Sequence, residues 1–247
     1  MERRSATRTA VVWGALQPVL RSRSHGVDAS RQHVVDLGGG TGRLAVQIAG
    51  LGHRVTVVDP SPDALASLER RVGEVGLGES VRGLLGDASD LLDVVGPGSA
   101  DVVICHGVLE VVESPIQALE AAAAVLVGNG TLSVLAAQRS AAVFTRALAG
   151  HLAEARALLN EPGNNWDTSD PLPRRFSQEE LRELVRRAGF SVTAVRGIRV
   201  FTDHISSTLV DAESGAADEL QALESAVATS PDFMAMATQL HLLATAD

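Results

Sequence analysis

The sequence predicts a single α/β domain, residues 1–247, built on a doubly wound, mainly parallel sheet of seven strands. The chain has 247 residues, 45% of them hydrophobic, which suffices for one core without a disulfide or metal staple. From residue 33 onward, short β-branched runs alternate with helical patterns, an order typical of parallel sheets with helices on both faces. Turn residues bound each run, as expected for strands that are buried on both faces.

Five apolar runs are the candidate parallel strands. They are residues 33–37, 54–59, 81–85, 101–105 and 131–135. Helical patterns lie between them at 43–49, 62–75 and 115–126, and the last two follow Ser61 and Ser114 with a proline at the first helical position. Right-handed connections between such strands place the ligand site at the carboxyl ends of the strands.

The two ends of the chain and one insertion depart from this alternation. Residues 1–30 predict an amphipathic helix on the domain rather than a signal peptide, because Gln17 and Pro18 interrupt the apolar run. Residues 139–176 form an insertion after the fifth strand, with a helical stretch at 141–159 and a loop at 161–173, and we expect it to be a lid. The remaining pattern is a helix at 178–188, a strand at 191–200, a helix at 218–228 and a strand at 239–244, and we expect this late strand pair to include an antiparallel one.

Composition and charge exclude several classes of protein. One cysteine, Cys105, can build neither an internal disulfide nor a Cys-rich zinc centre, so we predict no metal site. No stretch reaches the ~20 apolar residues of a membrane span, so we expect a soluble, cytoplasmic protein without a membrane partner. The net charge is −9, which disfavours a global attraction to nucleic acid. Residues 139–199 nevertheless carry ten arginines against seven acidic residues, so a local basic face remains open.

The glycine cluster Asp36-Leu-Gly-Gly-Gly-Thr-Gly42 ends the first predicted strand. Glycines at 38, 40 and 42 allow a tight turn and a close approach of the backbone to a ligand. A dinucleotide fingerprint would require a small residue at 43, where this chain has Arg43, so hydride transfer is disfavoured. A plain turn cluster in another α/β fold is the alternative interpretation.

Polar residues follow the next three strands at the same edge of the sheet. Asp59 ends the second strand, 21 residues after Gly38, where a carboxylate can accept hydrogen bonds from ribose hydroxyls; this spacing suits NAD equally well. Asp87 follows the third strand and could accept from an adenine amine, and His106 follows the fourth. Each could be an ordinary strand-end residue, but chance rarely places all of them at one edge.

With these residues in place, the chain from about 33 to 138 resembles the class I S-adenosylmethionine-dependent methyltransferases, which have a Rossmann-like fold. It looks more narrowly like the tRNA 5-carboxymethoxyuridine methyltransferase group. Three stretches carry the narrower likeness: Arg8-Thr-Ala-Val-Val-Trp13, Cys105-His-Gly-Val-Leu-Glu-Val-Val112 and Gly197-Ile-Arg-Val-Phe-Thr-Asp203. The resemblance implies S-adenosyl-L-methionine as the cofactor.

The resemblance also implies roles for individual residues. Arg8 would pair with the methionine carboxylate of the cofactor, the glycine backbone would lie against its aminoacyl chain, and His106 would line the cofactor or acceptor pocket. The implied cofactor-binding set is Arg8, Asp36, Gly38, Gly39, Gly40, Asp59, Asp87, Ala88 and His106. Arg8 could instead be a solvated arginine, and His106 a structural hydrogen bonder.

The narrower resemblance implies methylation of the carboxylate on a modified wobble uridine, which is a tRNA modification. Because that acceptor is ionised at pH 7, no general base is needed, and Arg199 and Arg174 are candidates to orient it, alongside His106 in the catalytic set. Arg199 could equally be a structural strand residue. Residues 200–247 carry eight acidic residues and no arginine, which argues for a small acceptor. The alternatives are a small-molecule O- or N-methyltransferase with His106 as base, and a non-catalytic S-adenosylmethionine-binding regulatory domain.

Overall fold

The structure is a computed structural model, and it describes residues 2–21, 31–160, 172, 174–206, 208, 210 and 214–247, with the backbone alone for residues 2–9 and 160. The strands are β1 (His33–Leu37), β2 (Arg54–Asp59), β3 (Val81–Leu85), β4 (Ala100–His106), β5 (Leu126–Ala137), β6 (Phe190–Ile198) and β7 (Gln239–Ala246). They form one sheet in the order β3-β2-β1-β4-β5-β7-β6, in which only β7 runs antiparallel to its neighbours. The predicted seven-stranded, doubly wound sheet is therefore confirmed.

Helices cover both faces of this sheet. The first helices are α1 (Glu2–Arg21), α2 (Arg43–Ala49), α3 (Pro62–Glu74), α4 (Leu91–Val95) and α5 (Pro115–Val125). The later ones are α6 (Arg139–Leu148), α7 (Leu152–Asn160), α8 (Gln178–Arg187), α9 (Ala216–Val227) and α10 (Pro231–Met234). One buried cluster packs α1, α2 and α3 on one face of the sheet, and a second packs α4, α5 and α8 on the other. Among the described residues, no helix is both long and apolar enough to cross a bilayer.

Capping side chains explain where several helices begin. The Ser61 side chain accepts from the Ala64 backbone N–H at the start of α3, and the Ser114 side chain accepts from the Gln117 backbone N–H at the start of α5. A proline follows each serine. Ser177 and Glu180 form a reciprocal capping box at the start of α8. These local signals are short-range, so the sequence predicts these helix starts well.

The structure differs from the sequence expectations in several helices and strands. The expected single helical stretch at 141–159 is two helices, α6 and α7. Gly150, between them, adopts φ 84°. The His151 N–H donates to the Arg146 carbonyl and the Gly150 N–H to the Ala147 carbonyl, so α6 ends in a Schellman motif. Strand β5 begins at Leu126, five residues earlier than expected, and β6 ends at Ile198, two residues before the expected end. Neither α4 nor α10 was predicted. The lid loop lies almost wholly outside the described residues, so the lid remains a prediction.

Candidate functional site

The glycine loop after β1 has three residues with positive φ: Gly38 at 70°, Gly40 at 57° and Gly42 at 72°. A Cβ atom on Gly38 would lie 2.6 Å from a methyl carbon of Val108, and one on Gly42 would lie 2.0 Å from a methyl carbon of Leu68. Conformation and space therefore both require glycine here. The result is a stretch of bare backbone at the carboxyl edge of the sheet, leading into α2.

Asp59 ends β2 beside this loop. One carboxylate oxygen accepts from the Gly40 backbone N–H at 2.9 Å, and the other accepts from the Ser61 backbone N–H at 2.9 Å. These two bonds hold the carboxylate in one orientation, and each oxygen keeps a further lone pair. The arrangement is suited to accepting hydrogen bonds from two neighbouring hydroxyl groups.

Asp36 lies on the adjacent strand β1 and is almost fully buried. Burial, with a smaller contribution from the negative charge of Asp59, raises the pKa of Asp36 to about 7. A Cβ atom on Gly39 would lie 2.6 Å from Oδ2 of Asp36, so the loop passes close to this carboxyl group. A cation bound nearby would stabilise the ionised form of Asp36.

A cavity of about 190 Å³ opens between α1, the glycine loop and the end of β4. Its lining includes Trp13 from α1, Asp36, Gly38 and Gly39 from the first strand and loop, and His106 from β4. The structure thus brings together, around one cavity, several residues predicted to bind the cofactor. Arg8 lies among residues whose side chains are not described.

Asp87 and Ala88 follow β3 at the same edge. Asp87 is exposed, and its Oδ1 accepts from the Ser89 hydroxyl at 2.6 Å and from the Ser89 backbone N–H at 2.7 Å; these bonds lower the pKa of Asp87. Ala88 is buried in the core cluster that contains β1 and β4. An ionised acceptor beside a small apolar residue is compatible with the predicted adenine contacts.

His106 is half-buried at the end of β4 and takes part in a hydrogen-bonded chain that the sequence did not predict. Its Nε2 lies 2.8 Å from the Ser133 hydroxyl on β5, and that hydroxyl lies 2.9 Å from Nε2 of His241 on β7. The two imidazole rings meet edge to face with centroids 5.7 Å apart. The sequence signal was a serine and a histidine, each within a mostly apolar part of its strand.

The two candidate catalytic arginines are bound by the protein itself. The Arg174 guanidinium donates to the backbone carbonyls of Val112 and Glu113, on the loop that follows β4. Arg199 lies one residue beyond β6, with φ 60°, and its guanidinium forms an ion pair with Asp203, which also accepts from Thr238. Neither arginine is among the residues that line the cavity in the described part of the chain.

Comparison with known proteins agrees with this geometry. Residues 35–134 match the methyltransferase domain family. The chain is 31% identical to a ubiquinone biosynthesis O-methyltransferase of Xanthomonas euvesicatoria, over 74% of this chain and 73% of that one. The chain belongs to the class I S-adenosylmethionine-dependent methyltransferases. This methyltransferase is also 26% identical to the tRNA 5-carboxymethoxyuridine methyltransferase of Escherichia coli K12, over 80% of this chain and 73% of that one.

Solved structures show the same fold. A S-adenosylmethionine-dependent methyltransferase from Mesorhizobium loti aligns with a TM-score of 0.62 at 18% identity, covering 97% of this chain and 99% of that one. The 1,6-didemethyltoxoflavin-N1-methyltransferase of Burkholderia thailandensis, solved with S-adenosylhomocysteine, aligns at 0.57 and 20% identity, covering 98% and 78%. These likenesses extend across the whole seven-stranded sheet of this methyltransferase.

The residues at the site fit S-adenosylmethionine, the cofactor of this family. That cofactor supplies a methyl group on a positively charged sulfur. On the side of the protein, Asp59 offers an oriented acceptor, the glycine loop offers backbone with no side chain in the way, and Asp36 offers a carboxyl group ready to ionise beside a cation. In the described part of the chain, no group of three or more His, Cys, Asp or Glu side chains is arranged to hold a metal ion.

Proposed function

We propose that this methyltransferase methylates the carboxylate of a modified wobble uridine in tRNA. The observation that carries the proposal is the engagement of His106 Nε2 by Ser133, and through it by His241, within the sheet. An ionised carboxylate needs no proton removed before it attacks a methyl group, whereas a hydroxyl acceptor needs a base. A histidine that is already held by a hydroxyl suits the first type of acceptor better.

The likeness to the Escherichia coli tRNA enzyme is compatible with the same substrate. It spans 199 residues, whereas the methyltransferase domain match covers residues 35–134 and the likeness to the Xanthomonas relative spans 190 residues. It therefore includes sequence outside the matched domain. Hydrogen-bond donors at the carboxyl edge of the sheet would orient the acceptor carboxylate. Arg174 and Arg199 are the donors that the sequence predicts for this role.

Two exposed arginines on α8 are the candidate contacts for tRNA phosphates. Arg182 and Arg187 are exposed there, and they belong to the segment 139–199, in which arginines outnumber acidic residues. Two neighbouring cations are offset by ion pairs, since Arg186 pairs with Glu183 and Arg139 pairs with Glu180, both at 2.9 Å. Phosphate contacts would therefore fall mainly to Arg182 and Arg187.

A small-molecule O-methyltransferase is the second candidate function. The observation that favours it is the internal pairing of Arg174 and Arg199, which leaves both guanidinium groups already bonded to protein partners. The Xanthomonas relative, by its name, is an O-methyltransferase of ubiquinone biosynthesis. In this alternative, His106 would act as the base for a hydroxyl acceptor. A non-catalytic cofactor-binding domain would bind S-adenosylmethionine without any transfer.

A direct assay separates these functions. Purified protein is incubated with methyl-labelled S-adenosylmethionine and either tRNA that carries 5-carboxymethoxyuridine or a small-molecule extract, and the products are analysed by mass spectrometry. We expect label in the methyl ester of the tRNA nucleoside, and much less of it with the Asp59→Ala variant at cofactor concentrations below saturation. Label in extract metabolites but never in tRNA would contradict the proposal, and binding without transfer to either would favour the regulatory alternative.

Charge reversal tests the tRNA surface separately. The pair Arg182→Glu and Arg187→Glu should raise the Michaelis constant for tRNA and weaken the dependence of activity on salt, because fewer phosphate counterions are released on binding. The matched control is Arg54→Glu with Arg70→Glu, which makes the same change in net charge at two exposed sites on β2 and α3. Equal effects of the two pairs would contradict a specific contact on α8.

A further inference from the structure

Beyond the hydrogen-bonded chain at His106, a partly buried cation, Arg196, lies opposite His241 at the far edge of the sheet. His106 is in register with Leu135 on β5, Leu135 with His241 on β7, and His241 with Arg196 on β6. Residues directly opposite each other in a sheet project to the same face, and Ser133 shares that face because it lies two residues before Leu135. One polar row thus runs from the cofactor cavity across four strands.

The Ser133 hydroxyl bridges the two histidines and has one hydrogen to donate. It lies 2.8 Å from Nε2 of His106 and 2.9 Å from Nε2 of His241, so both contacts are of ordinary hydrogen-bond length. The hydroxyl can therefore donate to one ring and accept from the other. Which ring receives the hydrogen depends on where His241 carries its proton.

His241 is neutral and has one proton to share between two nitrogens. It is completely buried, and burial together with the positive charge of Arg196 lowers its pKa to about 3. Nδ1 of His241 is buried and has no hydrogen-bond partner among the described residues, and the same holds for one terminal nitrogen, Nη1, of Arg196. The missing acceptor at Nδ1 and the charge of Arg196 therefore both affect which nitrogen of His241 carries the proton.

The cation decides between the two tautomers of His241. A proton on Nδ1 would leave a buried N–H group with no acceptor and would place its positive end in the field of Arg196, which is unfavourable on both counts. A lone pair on Nδ1 is favoured by the same field. The proton therefore belongs on Nε2, from which it is donated to the Ser133 oxygen, and the Ser133 hydroxyl in turn donates to Nε2 of His106.

We infer that Ser133 and His241 are positioning residues that hold His106 with its proton on Nδ1, so that the ring serves as a hydrogen-bond donor and not as a base. Such a site takes an acceptor that is already ionised, as a carboxylate is. This inference rests on the proposed function for its substrate, but the state of the ring belongs to the protein alone. Arg196 orients the chain from the opposite end.

Nitrogen-15 NMR of the histidine rings in the acceptor-free protein tests the inference. His106→Gln assigns the His106 signals by their disappearance. In the wild type we expect His106 protonated at Nδ1 and His241 protonated at Nε2. Ser133→Ala should release His106 from this tautomer, and Ser133→Thr, which keeps a hydroxyl, should retain it. Protonation of His106 at Nε2 in the wild type, or an unchanged tautomer in Ser133→Ala, would overturn the inference.

Turnover provides the second measurement. Ser133→Ala should lower kcat by about 10-fold or more while the cofactor Kd stays nearly constant, because the lost bond orients the ring and does not hold the cofactor. Ser133→Thr should restore much of the rate. Equal losses in both variants would contradict the positioning role. Absence of tRNA methylation with the expected tautomer intact would count against the proposed function and leave the positioning of His106 standing.

Discussion

At the residue scale, the candidate site contains two carboxyl groups on adjacent strands, and the negative charge of one opposes ionisation of the other. Asp59 is held by two backbone N–H groups, whereas burial keeps the pKa of Asp36 near 7. Burial therefore sets Asp36 apart near neutral pH. Asp59 can act as a fixed acceptor, and Asp36 can respond to the charge of a ligand.

Asp59→Ala should weaken S-adenosylmethionine binding by about 2 kcal/mol, because a hydrogen bond to a charged acceptor contributes roughly 1.5 to 3 kcal/mol. Calorimetry with the wild type and the variant measures this. Asp63→Ala is the matched control, since Asp63 is an exposed aspartate four residues later in the first turn of α3. Tight binding by Asp59→Ala would exclude Asp59 as a main cofactor ligand.

Asp36 should make stability depend on pH. Its pKa in the folded protein, about 7, is above the ordinary value of 3.8, so the folded state holds this proton more tightly than the unfolded state. The stabilisation is present at low pH and is lost as the pH rises from about 4 through 7. We expect the free energy of unfolding of the wild type to fall by about 2 kcal/mol between pH 5 and pH 8 because of Asp36. The Asp36→Asn variant should lack this decrease.

Urea titrations at several pH values measure this difference. Asp93→Asn serves as the control, because Asp93 is an exposed aspartate in the first turn of α4. Parallel pH profiles for the wild type and Asp36→Asn would show that Asp36 ionises normally in the folded state.

At the element scale, the glycine loop and the turn after β6 shape the carboxyl edge of the sheet. Gly42 is the N-cap of α2 and packs against Leu68 of α3, so it sets how closely the loop approaches both helices. After β6, Glu224 on α9 accepts from the backbone N–H groups of Val200, Phe201 and Thr202 and from the Thr202 hydroxyl. One carboxylate therefore shapes the turn that follows Arg199.

Gly42→Ala should be far more destabilising than Gly52→Ala. Both glycines have positive φ, so both variants lose roughly 1 to 2 kcal/mol to backbone strain. A Cβ atom at 42 would also lie 2.0 Å from Leu68, whereas one at 52 would have no atom of the described residues within 4 Å. We expect an additional loss of about 1 to 3 kcal/mol for Gly42→Ala from overpacking, measured by urea unfolding. Similar losses in the two variants would contradict the close packing of the loop.

Glu224→Gln should lower the free energy of unfolding by about 2 kcal/mol, since an amide has one accepting oxygen in place of two and its donors find no acceptor in the turn. Glu219→Gln on the exposed side of α9 is the matched control. Because the turn carries Arg199 and Asp203, hydrogen exchange of its amides should also increase. A variant as stable as the control would show that the turn holds without Glu224.

At the scale of the whole molecule, two apolar clusters sandwich the sheet, and β4 lies at its centre between β1 and β5. Cys105, the single cysteine of the chain, lies in β4 with 1% of its surface exposed. Burial, followed by the negative charges of Glu110 and Asp36, raises the pKa of the Cys105 thiol far above its ordinary value. The thiol should therefore react only when the central strand opens.

Labelling of Cys105 by a thiol reagent at pH 8 should report global unfolding. We expect the free energy of opening from the labelling rate to equal the free energy of unfolding from urea titration, because a central strand opens only with the whole domain. The control carries Cys105→Ala and Ala66→Cys, which moves the thiol to an exposed position on α3, and should react at once. Faster labelling of wild-type Cys105 than unfolding permits would reveal a local opening of the sheet.

The sequence alone determined the order of the seven strands and of most helices along the chain, the glycine loop and the acidic residues at the strand ends. These depend on local physics: hydrophobic periodicity over a few residues, serine caps such as Ser61, and the need for glycine at positive φ. Asp59 could be assigned to the site because the carboxyl ends of parallel strands meet at one edge whatever the details of packing.

Only the tertiary structure decided how side chains distant in the sequence meet. Ser133 joins His106, 27 residues away, to His241, 108 residues away, because β7 inserts antiparallel between β5 and β6. No local pattern encodes that neighbour relation, so neither the chain of bonds nor the burial of His241 could be predicted. Likewise, Arg174 and Arg199 looked free in the sequence, and their carbonyl and Asp203 partners became evident only in the fold, since a guanidinium group bonds to whatever acceptors packing brings within reach.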